Sequence, residues 1–344
     1  MSEIAESDRI AGALHPREQP SLHGHQAALA AVVSALASGR MPHGWLIGGP
    51  PGIGKATLAY RLARAVLRHG DCDVPAGLVV PPDDAVFRRV AAQAHPDLLV
   101  LRRPWDFERK KLKTALPVDE VRRLHGFVGH HASAGGWRVA IVDTADEMND
   151  AAANALLKVL EEPPSRTLIL LVSHAPGRLL PTIRSRCRAL ALRPLADADL
   201  AAAIAAGAPD LDREAARRAA VHAAGSPGRA IALAGGDGLA MFQAVAALLD
   251  AAPEIDSVRL HALADGFAGT QGEERWSHFT DAVEAWVERR ARAGAGTAAW
   301  LDAYDAVRAA VAQADGLHLD RRHTALGMAA AIAQAARSAS GHGA

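Results

Sequence analysis

Short apolar runs alternate with helical stretches over the first 193 residues of the chain. The apolar runs lack polar alternation, which is typical of strands buried on both faces of a parallel sheet. They lie at residues 45–47, 97–101, 138–142, 167–172 and 188–192. The clearest helical stretches between them are predicted at 55–67, 118–130 and 150–162. Strands that alternate with helices predict an α/β domain with a doubly wound parallel sheet over residues 1–193.

The pattern changes after the last of these runs, where no further strand is predicted. Residues 196–234 are predicted to form two or three short alanine-rich helices, interrupted at Gly/Pro clusters. A glycine-rich turn at 235–238 precedes amphipathic helices that continue almost to the C-terminus. We therefore predict an α/β domain at 1–193, a small helical domain at 194–238 and a second helical domain at 239–344.

Composition and charge argue against several classes of protein. The 38 basic and 38 acidic residues cancel, so bulk charge gives no reason to expect strong nonspecific binding of nucleic acid. The acidic N-terminus lacks the features of a signal peptide, and no apolar run approaches the ~18 residues of a membrane span. With two cysteines, the chain can form neither a disulfide framework nor a cysteine-rich zinc site. We expect a soluble cytoplasmic protein with no membrane contact.

A phosphate-binding loop of the form G-x-x-x-x-G-K lies between a predicted strand and a predicted helix. Its glycines let backbone N–H groups face an anion at the positive end of the helix. They are Gly49, Gly52 and Gly54. Lys55 is placed to reach the outer phosphates of a nucleotide, but Ala56 stands where serine or threonine normally offers Mg²⁺ a hydroxyl. The loop therefore predicts nucleotide binding with weak or absent Mg²⁺.

Three further positions bear on ATP hydrolysis. Thr57 offers a hydroxyl one place late, and the helical rotation of about 100° per residue makes it a poor substitute. Asp143 ends an apolar strand and is placed to contact Mg²⁺ in the Walker-B role. The next residue is Thr144, which has no basicity near neutral pH and cannot activate water as a glutamate would. A site that lacks both the magnesium hydroxyl and the base predicts negligible turnover.

Several longer segments are more specific than the phosphate-binding loop. They are HGWLIGGPPGIGKATLA at 43–59, AHPDLL at 94–99, ADEMNDAAANALLKVLEEPP at 145–164, APGRLLPTIRSRC at 175–187 and GSPGRAI at 225–231. In these segments the chain resembles the delta-prime subunits of the bacterial DNA polymerase III clamp loader, a family of the AAA+ superfamily. The resemblance covers residues from about 20 to 235, and the remainder matches only in being helical.

The resemblance implies a pentameric machine that opens a ring-shaped sliding clamp and places it on primed DNA. It implies as partners the ATPase subunits and the delta subunit of the clamp loader, the sliding clamp, and primed DNA within the complex. The triplet at 185–187 then implies Arg186 as an arginine finger in the ATP site of a neighbouring subunit, where a guanidinium stabilises charge in phosphoryl transfer. From the residues alone, Arg184, Arg186 and Arg188 could equally form an exposed basic rim.

Two further departures separate the chain from the ATPase subunits that it resembles. Relatives often carry a four-cysteine zinc module where this chain has only Cys72, and because tetrahedral zinc needs four ligands we predict no zinc. Gly228 stands where the ATPase subunits place a sensing arginine, and the adjacent Arg229 would face elsewhere on a helix. Among the histidines, the neighbours His130 and His131 point in different directions, so no metal site is predicted.

Three hypotheses follow. The preferred one is a structural clamp-loader subunit without ATPase activity of its own, which donates Arg186 in trans, with 194–238 as its lid and 239–344 as a collar domain. It holds ATP or ADP, if at all, without turnover. The first alternative is a competent AAA+ ATPase subunit of the gamma/tau type. The second is a DNA-binding module on the same fold, and the basic segment 102–113 is either a DNA contact or a solvated loop.

Overall fold

The computed structural model describes residues 6–70, 75, 77–108, 111–129, 136–268, 272–293, 296–317 and 319–341. The chain divides into two compact units, Met1–Ala232 and Leu233–Ala344. All strands of the described residues belong to the first unit, and the described part of the second is helical. The finer division into three domains stays a prediction.

The five predicted strands are present, together with a short hairpin. The strands of the described residues are β1 (Gly44–Gly48), β2 (Leu98–Leu101), β3 (Trp105–Asp106), β4 (Lys111–Leu112), β5 (Arg138–Val142), β6 (Thr167–Ser173) and β7 (Arg188–Ala191). Five of them form one parallel sheet in the order β2-β5-β6-β1-β7. β3 and β4 pair antiparallel inside the basic segment. The predicted parallel sheet is confirmed.

Helices account for most of the remaining described residues. Before the second unit they are α1 (Gln26–Ala37), α2 (Lys55–His69), α3 (Ala85–Ala91), α4 (Val118–Gly129), α5 (Asp150–Glu161), α6 (Pro181–Arg186), α7 (Asp197–Gly207), α8 (Arg213–His222) and α9 (Pro227–Ala234), which crosses the division. Within the second unit they are α10 (Gly238–Leu249), α11 (Ser257–Asp265), α12 (Gly272–Arg292), α13 (Thr297–Leu317) and α14 (Arg321–Gly341). The three helices predicted in the α/β region correspond to α2, α4 and α5.

Helices cover both faces of the sheet, because successive strand residues point to opposite sides. One face packs against α1 and α2 through side chains such as Trp45, Ile47 and Leu170. The other face packs against α4 and α5 through side chains such as Leu46 and Leu171. All residues of β1, β5 and β6 are buried, so both faces of these central strands are mainly apolar, and this explains why their signal in the sequence is a continuous apolar run. The doubly wound α/β class is confirmed.

A separate small core joins α7, α8 and α9 within the first unit. It is centred on Leu200, Ile204 and Ile231, and the side chains of Ile10 and Ala13 pack against it from the N-terminal end of the chain. The two or three short helices predicted for this region are thus three. Their core is built partly from residues more than 180 positions earlier in the sequence, which no local pattern indicates.

The second unit is held together by apolar and aromatic side chains of its helices. α12 packs against α10 and α13, and α13 packs against α14. Phe267, Trp276 and Phe279 form an aromatic cluster with ring centroids 5.0 to 6.0 Å apart. Trp286 and Trp300 meet edge to face at 5.6 Å. The helical character predicted for this part of the chain is confirmed.

In the described part of the chain, no single helix is both long and apolar enough to cross a bilayer. A bent pair, α9 followed by α10, meets that test by length and composition only.

Candidate functional site

The phosphate-binding loop joins the carboxyl end of β1 to α2. Gly49, Gly52 and Gly54 have φ angles of 152°, 71° and 102°, which residues with a side chain rarely adopt. A Cβ at Gly49 would lie 2.6 Å from the carbonyl oxygen of Leu192, and one at Gly52 would lie 2.7 Å from the hydroxyl of Ser226. The backbone conformation therefore favours glycine at all three positions, and close packing adds to this requirement at Gly49 and Gly52.

Lys55, the first residue of α2, is bound to its own loop. Its ammonium donates hydrogen bonds to the carbonyl oxygens of Gly49 and Pro50 at 2.8 and 2.6 Å, and the residue is 3% exposed. Burial lowers the pKa of Lys55 to about 8, although Asp143 and Asp146 favour the charged form. Because the ammonium has three donors, these two bonds leave little for a phosphate.

Asp143 follows β5 at the same edge of the sheet, where its charge interacts with that of Lys55. The residue is 3% exposed, and its carboxylate accepts a hydrogen bond from the hydroxyl of Ser7 at 2.8 Å. Burial, and then the charge of Asp8, raise the pKa of Asp143 to about 6. The carboxylate predicted to contact Mg²⁺ is thus paired with a residue from the N-terminal end of the chain.

Residues 6–15, the N-terminal segment, are anchored by a buried polar network. The Asp8 carboxylate accepts hydrogen bonds from the Tyr60 hydroxyl at 3.1 Å and from Arg102 at 3.0 Å, and it lies 3.2 Å from His15. Burial acts to raise the pKa of Asp8, but His15 and Arg102 outweigh it and hold the pKa below its usual value. These contacts fix the segment beside Asp143.

Residues 225–229 contact the phosphate-binding loop as well. The Gly228 N–H donates to the Gly52 carbonyl at 2.9 Å, and the Ser226 hydroxyl donates to the Pro51 carbonyl at 2.9 Å. A Cβ at Gly228 would lie 2.8 Å from the Cα of Gly52 and would meet the side chain of Ile10. This packing accounts for glycine at the position where the resemblance places a sensing arginine, because no side chain fits between the two backbones.

The residues that follow Asp143 are engaged by neighbouring groups. Asp146 accepts hydrogen bonds from the backbone N–H groups of His174 and Ala175 at 2.9 and 3.2 Å. Glu147 pairs with Arg103 at 2.8 Å. Thr144, at the position of the catalytic glutamate, is buried with a φ of 49°. The acids after the strand therefore serve the local fold.

The structure brings most of the predicted nucleotide-site residues to one edge of the sheet. They are Gly49, Gly52, Gly54, Lys55 and Asp143. Thr57 follows Ala56 in the first turn of α2, one residue beyond the position where a magnesium hydroxyl belongs. In this arrangement Ser7 bonds Asp143, and Ser226 and Gly228 bond the carbonyl oxygens of Pro51 and Gly52 in the loop. That these positions bind nucleotide stays a prediction.

Arg186 lies at the opposite edge of the sheet. It ends α6 just before β7, which runs parallel to β1 with Arg188 opposite Trp45. Arg186 is therefore level with the amino end of β1, whereas the phosphate-binding loop follows the carboxyl end. The five residues of β1 put about 16 Å between these edges. The Arg186 side chain is 35% exposed and pairs with Glu161 at 2.9 Å.

The residues considered for metal binding lie partly outside the described ranges. Cys72, His130 and His131 lie outside them. The described residues contain one group with metal-ligand spacing, made of Glu6, Asp8 and His15. Arg102 contacts both carboxylates of that group, at 2.7 and 3.0 Å, and so supplies the positive charge that a cation would bring.

The basic segment 102–113 is only partly a solvated loop. Arg102 and Arg103 turn back into the fold, where they pair with Asp8 and Glu147. Phe107, after β3, is 73% exposed. Arg109 and Lys110 lie outside the described residues. The segment thus anchors the N-terminal segment through Arg102, a role that its composition did not indicate.

Sequence reasoning missed the groups that close the nucleotide site. These are Ser7, Asp8 and Ser226, together with Glu161 at the other edge of the sheet. Ser7 and Asp8 belong to no motif. Ser226 and Glu161 lie inside segments that carry the family resemblance, but their partners lie in other segments of the chain. The glycine at position 228 was a usable signal, because a missing side chain at a motif position indicates that something else occupies the space.

Comparison with known proteins places the chain in a replication family. The sequence model of the family described as DNA polymerase III, delta subunit, matches residues 24–196, half of the chain. The DNA polymerase III subunit delta' of Pseudomonas aeruginosa is 44% identical over 145 residues, which cover 42% of this chain and 41% of that protein. The subunit delta' of Escherichia coli is 37% identical over 206 residues, covering 60% of this chain and 58% of that protein.

Other similarities are weaker. The DNA polymerase III subunit gamma/tau of Mycobacterium tuberculosis is 32% identical over 164 residues, covering 47% of this chain and 26% of that protein. A solved structure of a gamma subunit-related protein from Thermotoga maritima aligns with a TM-score of 0.41 and 15% identity, over 90% of this chain and all of that one.

The chain thus spans about half the length of the delta' relatives that it matches. The matched residues 24–196 contain the whole parallel sheet, the phosphate-binding loop and Arg186. The resemblance drawn from the motifs is confirmed by that match. The chain belongs to the DNA polymerase III delta subunit family, whose sequence model covers the sheet that carries both candidate sites.

Proposed function

We propose that this protein is a delta-prime subunit of a DNA polymerase III clamp loader that does not hydrolyse ATP itself. It helps to place a sliding clamp on primed DNA, together with the ATPase subunits and the delta subunit. Its contribution to catalysis is Arg186, which acts as an arginine finger at the ATP bound by a neighbouring subunit. The relatives named subunit delta' support the assignment to the complex.

The separation of the two candidate sites carries the proposal for Arg186. Its guanidinium is partly exposed at the amino edge of the sheet, and the phosphate-binding loop lies at the carboxyl edge, about 16 Å along β1. An arginine finger must contact the transferring phosphoryl group directly. Arg186 is therefore out of reach of the chain's own loop and available to a phosphate on another chain.

The closed state of the loop supports the absence of turnover. The ammonium of Lys55 is bound to Gly49 and Pro50, and the carboxylate of Asp143 is bound to Ser7. Ala56 and Thr144 lack the groups that coordinate Mg²⁺ and activate water. Because the loop region lacks these groups and Asp143 is already bonded to Ser7, we propose that any bound ATP or ADP is held without hydrolysis.

The helical regions complete the proposal. Residues 194–238 act as a lid domain, and residues 239–344 form a collar with the corresponding helices of other subunits. The small core of α7, α8 and α9 supports the first role, because it packs as a separate cluster. The second role is supported by the five helices α10–α14, which are the regular elements of the described residues after Ala234.

The test is reconstitution of the full chain with the cognate ATPase subunits, delta, clamp and primed DNA. We expect Arg186→Ala to lower DNA-stimulated ATPase activity and clamp loading by about tenfold or more, because one finger arginine stabilises much of the transition-state charge. Assembly, measured by gel filtration, should be unchanged. Arg184→Ala, which removes an exposed arginine from the same helix α6, is the matched control and should keep full activity.

Two results would overturn the proposal. Equal activity of the Arg186→Ala and Arg184→Ala complexes would remove the finger role. ATP turnover by the purified chain alone, abolished by Lys55→Ala, would instead establish the competent ATPase of the gamma/tau type.

A further inference from the structure

The guanidinium of Arg186 is held at two points by its own chain. Its Nη1 donates to the carbonyl oxygen of Thr182 at 3.0 Å, one turn earlier in α6. Its Nη2 pairs with the Glu161 carboxylate at 2.9 Å. Glu161 is the last residue of α5, and α5 packs against α6. The arginine is thus connected to a second helix as well as to its own.

We propose that Glu161 is a positioning residue for Arg186. This inference rests on the proposed finger role and adds the group that sets the orientation of the finger. A guanidinium has five N–H donors in a rigid planar fork. The two contacts in cis use one donor on each terminal nitrogen, so three N–H groups remain for a phosphate on the neighbouring subunit.

The exposure of the Arg186–Glu161 pair indicates whether the contact orients the arginine or stabilises the fold. The side chains of Arg186 and Glu161 are 35% and 48% exposed, and ion pairs as exposed as this contribute little to the free energy of folding. A long arginine that samples many rotamers must be ordered before it can act, and a second contact reduces that cost. The pair therefore affects the orientation of the Arg186 guanidinium far more than the free energy of folding.

The position of α5 gives the contact a further consequence. The helix starts after β5, at the edge of the sheet that carries Asp143, and it runs back to the edge that carries Arg186. The Asn149 side chain caps its first turn by accepting from the N–H of Ala152 at 2.8 Å. Through Glu161, the finger is tied to a rigid element of the sheet domain.

The experiment uses the reconstituted complex with full-length variants and measures kcat and KM for ATP. We expect Glu161→Ala to lower kcat about fivefold with little change in KM, because orientation matters most in the transition state. Glu161→Gln should recover most of the loss, since its amide oxygen still accepts a hydrogen bond. Glu162→Ala is the matched control: Glu162 is the next residue, exposed, with no side-chain partner among the described residues.

A double-mutant cycle separates this inference from the proposed function. If Arg186→Ala alone has no effect, the finger role itself fails. If Arg186→Ala lowers the rate and Glu161→Ala does not, the finger stands and the positioning role is wrong. A Glu161→Ala complex that is faster than the parent would also overturn the inference, because it would make Glu161 a competitor of the phosphate.

The double variant tests whether Glu161 acts through Arg186, and thermal unfolding tests whether the Glu161 variants still fold normally. In the Arg186→Ala background, Glu161→Ala should add nothing, and a further fivefold loss there would show that Glu161 acts elsewhere. Thermal unfolding of the Glu161 variants should match that of the parent chain. If Glu161→Ala lowers the midpoint, Glu161→Gln decides: a folded Gln variant with the activity of the Ala variant would contradict an orienting hydrogen bond.

Discussion

The phosphate-binding loop and Arg186 lie at opposite edges of one parallel sheet and differ in how their charged groups are held. At the loop, Lys55 and Asp143 are each 3% exposed and bind groups of their own chain. At the other edge, Arg186 and Glu161 are 35% and 48% exposed. The first arrangement leaves little capacity for a ligand, and the second keeps three N–H donors available.

The presence of a phosphate-binding motif therefore does not by itself mean that its charged groups are free to bind a phosphate. A buried polar group must be satisfied within the fold, because an unpaired one costs free energy. At the loop edge, Lys55 is satisfied by the carbonyl oxygens of Gly49 and Pro50, and Asp143 is satisfied by the hydroxyl of Ser7. These charged groups therefore contribute to the structure of the sheet domain. Arg186 is partly exposed, so its three remaining N–H donors carry no such requirement and stay available for a partner. Three stability measurements test this difference between the two edges of the sheet.

The largest expected effect is at Gly228, where the chain closes on its own loop. Gly228→Ala places a Cβ 2.8 Å from the Cα of Gly52, and relief of that clash requires backbone movement. We expect the free energy of unfolding to fall by about 3 kcal/mol in urea titrations.

Gly126→Ala is the matched control, because a Cβ there meets nothing within 4 Å in α4. It should leave stability equal or raise it by about 0.5–1 kcal/mol, from the better helix propensity of alanine. Equal losses at both glycines would show that the loop is not tightly closed.

The second effect concerns the buried carboxylate of Asp143. Its pKa is about 6 in the folded chain, against 3.8 for the free group. Between these values the folded state binds more protons, so stability falls as pH rises, and the full cost is present above the folded pKa. Asp143→Asn should therefore raise the free energy of unfolding by about 2 kcal/mol near pH 8 and by little near pH 4.

Asp84 provides a control of opposite sign for that pH dependence. Burial acts to raise its pKa, but hydrogen bonds from Arg68 and the Val86 N–H outweigh it and hold the pKa below its usual value. Its contribution to stability is present above the unfolded pKa and is lost as pH falls through the folded pKa. A stabilisation by Asp143→Asn that does not depend on pH would mean that the charge of Asp143 is not the cause.

The smallest effect is at the contact between the N-terminal segment and the site. Ser7→Ala removes the hydrogen bond to Asp143 and should cost about 1 kcal/mol in urea unfolding. It should also raise the pKa of Asp143 further, since that bond favours the ionised form.

Ser185→Ala is the control, because the Ser185 hydroxyl bonds only an exposed carbonyl in α6, and its loss should stay within about 0.5 kcal/mol. An unchanged Asp143 titration in Ser7→Ala would place the N-terminal segment away from the loop.

Local pattern predicted the elements well where packing demands are uniform. All five apolar runs became strands of the sheet, and the three central ones, β1, β5 and β6, are buried along their whole length. The helices α1 and α3 and the hairpin of β3 and β4 were not predicted. α1 has a weak polar face, α3 has seven residues and each hairpin strand has two, so their periodicity is too short or too faint to recognise.

The sequence by itself determined the elements of the sheet domain, the phosphate-binding loop and the family, because these depend on residues that are close together in the chain. Tertiary structure alone decided that the loop is closed. Ser7 meets Asp143 across 136 positions, and Ser226 meets Pro51 across 175. The parallel pairing of β7 with β1 likewise set Arg186, just before β7, at the opposite edge of the sheet from the loop. Such contacts follow from packing of the whole domain, and no spacing of residues along the chain encodes them.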